Sequence, residues 1–170
     1  MRRQRRKYVK PAHPWEKERM DREDKLRSQF GLRRKREIWR AQTILRGFRR
    51  QARRLLAESG PQAEKETKQL ISRLHRLGLV EKDATLDDAL GLTVEKIFER
   101  YLQTVVYRKG LAKSPLQARQ MILHGKVMIG EKKISVPSYM VPIDEEPLIK
   151  VLQKTEEPTP PSAGGEKENV

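Results

Sequence analysis

A chain of 170 residues with a net charge of +15 and only 36% apolar residues has room for one domain or two small ones, and too little apolar content for one large core. It has no Cys, which excludes disulfides, thiolate nucleophiles and cysteine-type zinc sites; its basic start leads into no apolar run that would make a secretory signal or cross a membrane. The charge is unevenly spread, with 21 Lys and Arg against 7 Asp and Glu in residues 1–60 and 17 against 16 in residues 61–170, a bias that favours a polyanionic partner.

Residues 1–14 read as a basic arm with interleaved Tyr8, Pro11 and Pro14, expected to be disordered until it meets a polyanion. Residues 15–92 read as a helical amino-terminal domain. Its first helix is expected within "PWEKERMDREDKLRSQFG", with Pro14 in the opening turn, Glu16 and Glu18 at the positive end and Gly31 as the stop. The second is the clearest element. In "KREIWRAQTILRGFRRQARRLLAESGP", Ile38, Ala41, Leu45, Phe48, Ala52 and Leu55 recur three and four apart and form one apolar stripe, and Gly60 and Pro61 are expected to end it. Around the stripe stand Arg40, Arg46, Arg49, Arg50, Arg53 and Arg54, with only Glu37 and Glu58 within the helix as partners. Arginines so crowded repel one another, and phosphates relieve that repulsion. A third helix is predicted over about Gln62–Arg76, with Leu70, Ile71, Leu74 and Leu77 inward. "TLDDALG" has capping-box spacing from Thr85 to Asp88.

From Thr93 to about Leu152 the chain reads as a second, compact unit. Thr93 is expected to cap one helix, "TVEKIFERYLQTVVYRKG", closed by Gly110, with Val94, Ile97, Phe98, Tyr101, Leu102 and Val105 buried. Ser114, Pro115 and Gln117 then specify a helix start with cap, first-turn proline and reciprocal capping residue, and this short helix ends at His124–Gly125. "KVMIGEKKISV" offers two strands about a turn at Gly130–Glu131, while "PSYMVP" and "PLIKVL" could add short strands. Residues 153–170, rich in Pro, Gly and Glu, are expected to be a disordered tail. The fold class is therefore α+β: a helical region, then a helix–helix–hairpin unit with a small antiparallel sheet, between disordered termini.

Catalysis has little to work with. His13, His75 and His124 are far apart with no carboxylate at metal-ligand spacing, and no Gly-rich loop follows a strand. We expect no enzyme, metal or cofactor, and neither a small-molecule substrate nor a membrane as partner.

Residues 93–151 carry a dense set of motifs: a Val-Val-Tyr-Arg helix end, Gly-Leu-Ala-Lys-Ser, Ala-Arg-Gln, His-Gly-Lys-Val and Pro-Ser-Tyr, in order and without large gaps. This stretch resembles the S4 RNA-binding domain, or αL motif, a module also found in pseudouridine synthases, tyrosyl-tRNA synthetases and a heat-shock ribosome-recycling factor. "RKYVKPAHPWEKERM" and "GLRRKREIWRAQTILRGFRRQARRLL" extend the likeness, over roughly residues 3–152, to the archaeal and eukaryotic form of the small-subunit ribosomal protein family that names the domain. The resemblance implies a structural component of the small subunit, and with no signal or membrane-spanning run in the sequence the expected compartment is the cytoplasm. It implies primary binding of small-subunit ribosomal RNA at a multi-helix junction of the 5′ domain early in assembly. It also implies neighbouring ribosomal proteins and a position near where messenger RNA enters. A small-subunit assembly factor with the same domain, an RNA-modifying enzyme and a generic DNA binder are the alternatives.

Two departures stand out. Bacterial members often carry an amino-terminal zinc knuckle, which a chain without Cys cannot form, and the common Asn-Gly-Lys hairpin is here Gly130-Glu131-Lys132. The residues assigned to RNA are Arg2, Arg3, Arg5, Arg6 and Lys7 of the arm; Arg33, Arg34, Lys35 and Arg36 before the long helix; and Arg46, Arg49, Arg50, Arg53 and Arg54 on it. By family likeness they continue with Arg108, Lys109, Lys113, Ser114, Arg119, His124, Lys126, Lys132 and Lys133, although Ser114 also suits a cap and His124 a hairpin anchor. Tyr139 is open to either base stacking or packing on the sheet. Residues 93–133, the helix–helix–hairpin corner, hold 9 Lys and Arg against 3 Asp and Glu, so the corner is basic although its half of the chain is nearly neutral.

Overall fold

The computed structural model describes residues 6–152. Helices α1 (Lys17–Gln29), α2 (Lys35–Ala57), α3 (Pro61–Arg76), α4 (Leu86–Gly91) and α5 (Val94–Glu99) are followed by α6 (Leu102–Arg108) and α7 (Pro115–Leu123). Strands β1 (Val127–Ile129), β2 (Lys132–Lys133) and β3 (Ile149–Val151) form an antiparallel sheet in the order β2-β1-β3. The arrangement is the expected α+β class. The arm residues 1–5 and the tail 153–170 lie outside the described residues.

The α2 stripe does what its spacing predicts. All six apolar positions are buried, and together with Leu70, Leu74, Leu92, Ile97 and Phe98 they belong to one hydrophobic cluster of α2–α5. A second cluster, with Leu102, Val106, Ala118, Ile122, Val127 and Val141, fills the space between α6, α7 and the sheet. The two clusters meet between Tyr101 and Leu102.

That meeting point breaks the single helix expected from Thr93 to Gly110. α5 stops at Glu99, Tyr101 is extended (φ −71°, ψ 139°) and pairs as an isolated β-bridge with Met140, and α6 begins at Leu102. The residues 137–141 supply the backbone partners that a continuous helix would have provided. The Leu102 N–H donates to Tyr139 O (2.8 Å), the Gln103 N–H to Pro137 O (3.3 Å), and the Val141 N–H to Arg100 O (2.9 Å). The sequence reads as one helix because apolar residues recur at helical spacing on both sides of the break, although α5 buries them in the first cluster and α6 in the second. Thr93 stands at the N-cap position of α5 but its side chain makes no capping hydrogen bond.

Other boundaries shift for local reasons. α1 starts at Lys17, not in the turn of Pro14, because the Arg19 guanidinium holds the carbonyls of His13 (3.0 Å) and Pro14 (2.8 Å) in a loop. α2 ends at Ala57, and Gly60 and Pro61 instead serve α3 as N-cap and first residue. "PSYMVP" contributes only the Met140 bridge, whereas "PLIKVL" supplies β3. At the hairpin, Gly130 takes the left-handed conformation (φ 59°) that its place between β1 and β2 demands, and Glu131 does not.

Candidate nucleic-acid interface

Residues 6–14 form neither helix nor strand, yet they are laid against α2. The Tyr8 ring sits 5.9 Å from that of Trp39, and the Val9 N–H donates to Thr43 Oγ1 (3.1 Å). Arg6 and Lys7 are exposed, and Arg2, Arg3 and Arg5 lie outside the described residues. Arg6, Tyr8, Lys10, Lys35, Arg36 and Trp39 are among the residues lining a cleft of about 580 Å³ between the arm, α1 and α2. Of the run before α2, Lys35 is engaged with Asp24 (3.0 Å), while Arg33, Arg34 and Arg36 are exposed and make no side-chain bond among the described residues.

The α2 arginines divide into two groups. Arg46, Arg50 and Arg53 are exposed, share one face by their i, i+4, i+7 spacing, and have no ion-pair partner among the described residues. Arg49 is turned inward and donates to the Leu92 carbonyl (2.6 Å), and Arg54 reaches Glu58 (3.5 Å) and, across to α3, Glu66 (2.5 Å). Glu66 is the partner that reading α2 alone could not supply. Arg40, on the same helix, joins Arg34 and Arg36 with Tyr8, Pro137 and Ser138 around a cleft of about 300 Å³ where α2 faces α7.

In the corner, α7 is capped as its sequence dictates. Ser114 Oγ accepts from the Gln117 N–H (3.1 Å), and Gln117 Oε1 accepts from the N–H of Lys113 (2.7 Å). Ser114 is thereby occupied as a cap. Lys113, Lys126, Lys132 and Lys133 are exposed, with no side-chain partner among the described residues, and His124 is exposed at the C-cap of α7. Arg108 and Lys109 are tied down: Arg108 pairs with Glu99 (2.7 Å), and Lys109 Nζ donates to the Glu146 carbonyl. Tyr139 is half-buried against the second cluster, and its hydroxyl donates to Glu145 (2.7 Å). That bond, then burial and the Glu145 charge, raises the phenol's pKa. Tyr139 thus packs against the second cluster.

Arg119 departs furthest from its expected part. Its guanidinium makes a two-pronged pair with Glu37 of α2 (Nη1–Oε2 2.9 Å, Nη2–Oε1 2.8 Å) and also donates to Gln103 Oε1 (3.2 Å), so it joins α7 to α2. Gln103, only 2% exposed, places its Nε2 2.9–3.0 Å from the carbonyls of Phe30, Gly31 and Pro115. Gln103 carries no motif of its own in the sequence; its one signal is that an amide stands, beside Thr104, within the otherwise apolar run Tyr101–Val106. Among the described residues, no three His, Asp or Glu side chains are placed to hold a metal, and no helix is long and apolar enough to cross a membrane.

Fold and charge together define a class: an α+β protein in which a helical unit and a small helix–hairpin unit carry, along α2 and around the corner, cations with no ion-pair partner among the described residues. Residues 102–146 match the model of the S4 domain, and residues 2–99 match that of the ribosomal protein S4/S9 N-terminal domain. The chain is 51% identical over 146 residues to small ribosomal subunit protein uS4 of Methanococcus aeolicus, covering 85% of this chain and 82% of that protein. With the uS4 proteins of Ignicoccus hospitalis and Sulfurisphaera tokodaii it shares 53% over 148 residues (87% and 89% covered) and 51% over 170 residues (98% and 94% covered). The chain belongs to the uS4 family of small ribosomal subunit proteins.

Proposed function

We propose that the protein is a structural component of the small ribosomal subunit, that it binds small-subunit ribosomal RNA as a primary binder of the 5′ domain, and that it is not an enzyme. The observation that carries the reading is the separation of the cations into two sets. Arg49, Arg54, Arg108 and Arg119 are consumed by protein partners, while Arg46, Arg50, Arg53, Lys113, Lys126, Lys132 and Lys133 are left exposed without any among the described residues. Charges held apart from counter-ions in this way favour phosphate, and a stiff corner suits a ligand whose base edges are hidden and whose backbone shape is read instead.

The cytoplasmic, ribosome-bound location, the contacts to neighbouring ribosomal proteins and the proximity to entering messenger RNA follow from the family and belong to the same proposal. The test is direct binding of the purified protein to 5′-domain small-subunit RNA, with duplex DNA as competitor, together with co-sedimentation with mature subunits. Tight binding resisted by competitor DNA and retention on washed subunits are expected. Binding equal to that of DNA would overturn the RNA reading, and loss from mature subunits would favour an assembly factor.

A further inference from the structure

We propose that Glu37, an acid set inside a cationic face, is a positioning residue for RNA binding. Its pair with Arg119 fixes the angle at which α2 and the corner present their cations. The inference rests on the RNA-binding reading above and goes beyond it in assigning the geometry to one contact.

Three observations lead to it. First, the chain passes between the two hydrophobic clusters at Tyr101–Leu102 and again at Tyr139–Val141, and the backbone bonds at these crossings join residues 100–103 to 137–141 without involving α2. Among the described residues, Arg119–Glu37 is the one ion pair joining α2 to the second unit. Second, the pair is backed by close packing. A Cβ added to Gly31 would lie 2.8 Å from Pro115 Cβ, and the Gln103 amide bridges Gly31 and Pro115 while its oxygen receives Arg119. Third, Glu37 stands among Arg34, Arg36 and Arg40, and among the described residues none of their side chains bonds its carboxylate. A negative charge there lowers the potential offered to a polyanion, so electrostatic attraction alone does not account for it.

Energetics point the same way. The side chains of Arg119 and Glu37 are only 17% and 20% exposed, so the desolvation of both ions offsets much of their attraction, and the pair contributes direction more than stability. Two cationic surfaces held at a fixed angle act as a bivalent ligand for RNA helices that diverge from a junction, and loosening the angle lowers the effective concentration of the second contact. A single duplex, engaging one surface, gains nothing from the angle.

The test compares Glu37→Gln with Glu58→Gln, each of which removes one negative charge from α2 or its C-terminal cap. Affinities are measured for a multi-helix junction RNA from the small-subunit 5′ domain and for a plain RNA duplex of equal length. Glu37→Gln is expected to lose roughly three- to tenfold on the junction with no loss on the duplex, whereas Glu58→Gln loses on neither. Equal behaviour of the two variants would overturn the proposal. Because the chain has no Cys, Glu37→Cys with Arg119→Cys can be bridged by a short bis-maleimide. Bridging is expected to restore junction affinity with no charge present, and unchanged affinity on bridging would again overturn the proposal. Wild-type protein unable to bind the junction would instead overturn the RNA reading on which the proposal rests.

Discussion

Gly31 shows how much one residue can determine. It has φ +60°, a conformation L side chains rarely adopt, and it sits where the α1–α2 turn touches the start of α7. Gly31→Ala is expected to destabilise the fold by about 1–3 kcal/mol, read as a lower denaturant midpoint at unchanged slope. Tyr101 is the other critical single residue. Burial pushes its phenol up to about 12 from an ordinary 10, with the nearby Arg40 charge lowering it and Glu37 raising it. The folded state therefore keeps its proton where the unfolded chain loses it. Stability is full below pH 10 and falls as pH rises from 10 towards 12, by about 3 kcal/mol. Tyr101→Phe should flatten that alkaline fall, and an unchanged pH–stability curve would show that the phenol is not its source. At this scale the sequence was a partial guide. The capping pattern at Ser114 and Gln117 could be read because it is local. The diversion of Arg119 to Glu37 could not, because its partner is 82 positions away in the chain.

α2 is the most legible element and the most informative one to alter. Its stripe was readable because helical period and burial coincide over a long run. The arginines were readable as a basic face, but not which of them had partners, since Glu66 and the Leu92 carbonyl come from other elements. Replacing Arg46, Arg50 and Arg53 together by Gln is expected to leave thermal stability unimpaired, since these charges have no partner to lose among the described residues and repel one another. Ribosomal RNA affinity should fall, and the slope of log K against log salt should become shallower by about three, one for each phosphate contact removed. An unchanged slope would remove α2 from the interface. The break between α5 and α6 was illegible for the opposite reason. It is imposed by backbone hydrogen bonds from residues 137–141, which no pattern within the helices encodes.

For the whole molecule, the protein is two apolar clusters joined at Tyr101 and along residues 137–141, with ion pairs placed where elements must stay together and cations that have no partner among the described residues placed outside. The class of fold and the basic character were legible from composition, periodicity and motifs. The separation of structural from available cations emerges only when α2, α7 and the sheet are brought together. Uncompensated charge lowers the stability of the free protein through self-repulsion and becomes favourable when phosphate neutralises it, so binding and folding should reinforce one another.

The most direct test is a lysine-modification footprint of the protein free and assembled in the small subunit, comparing Lys113, Lys126, Lys132 and Lys133 with Lys82, which lines a cleft with Glu81, Asp83, Asp87 and Asp88. The account predicts that the four corner lysines are protected on assembly while Lys82 stays reactive. Corner lysines as reactive in the particle as in the free protein would contradict it.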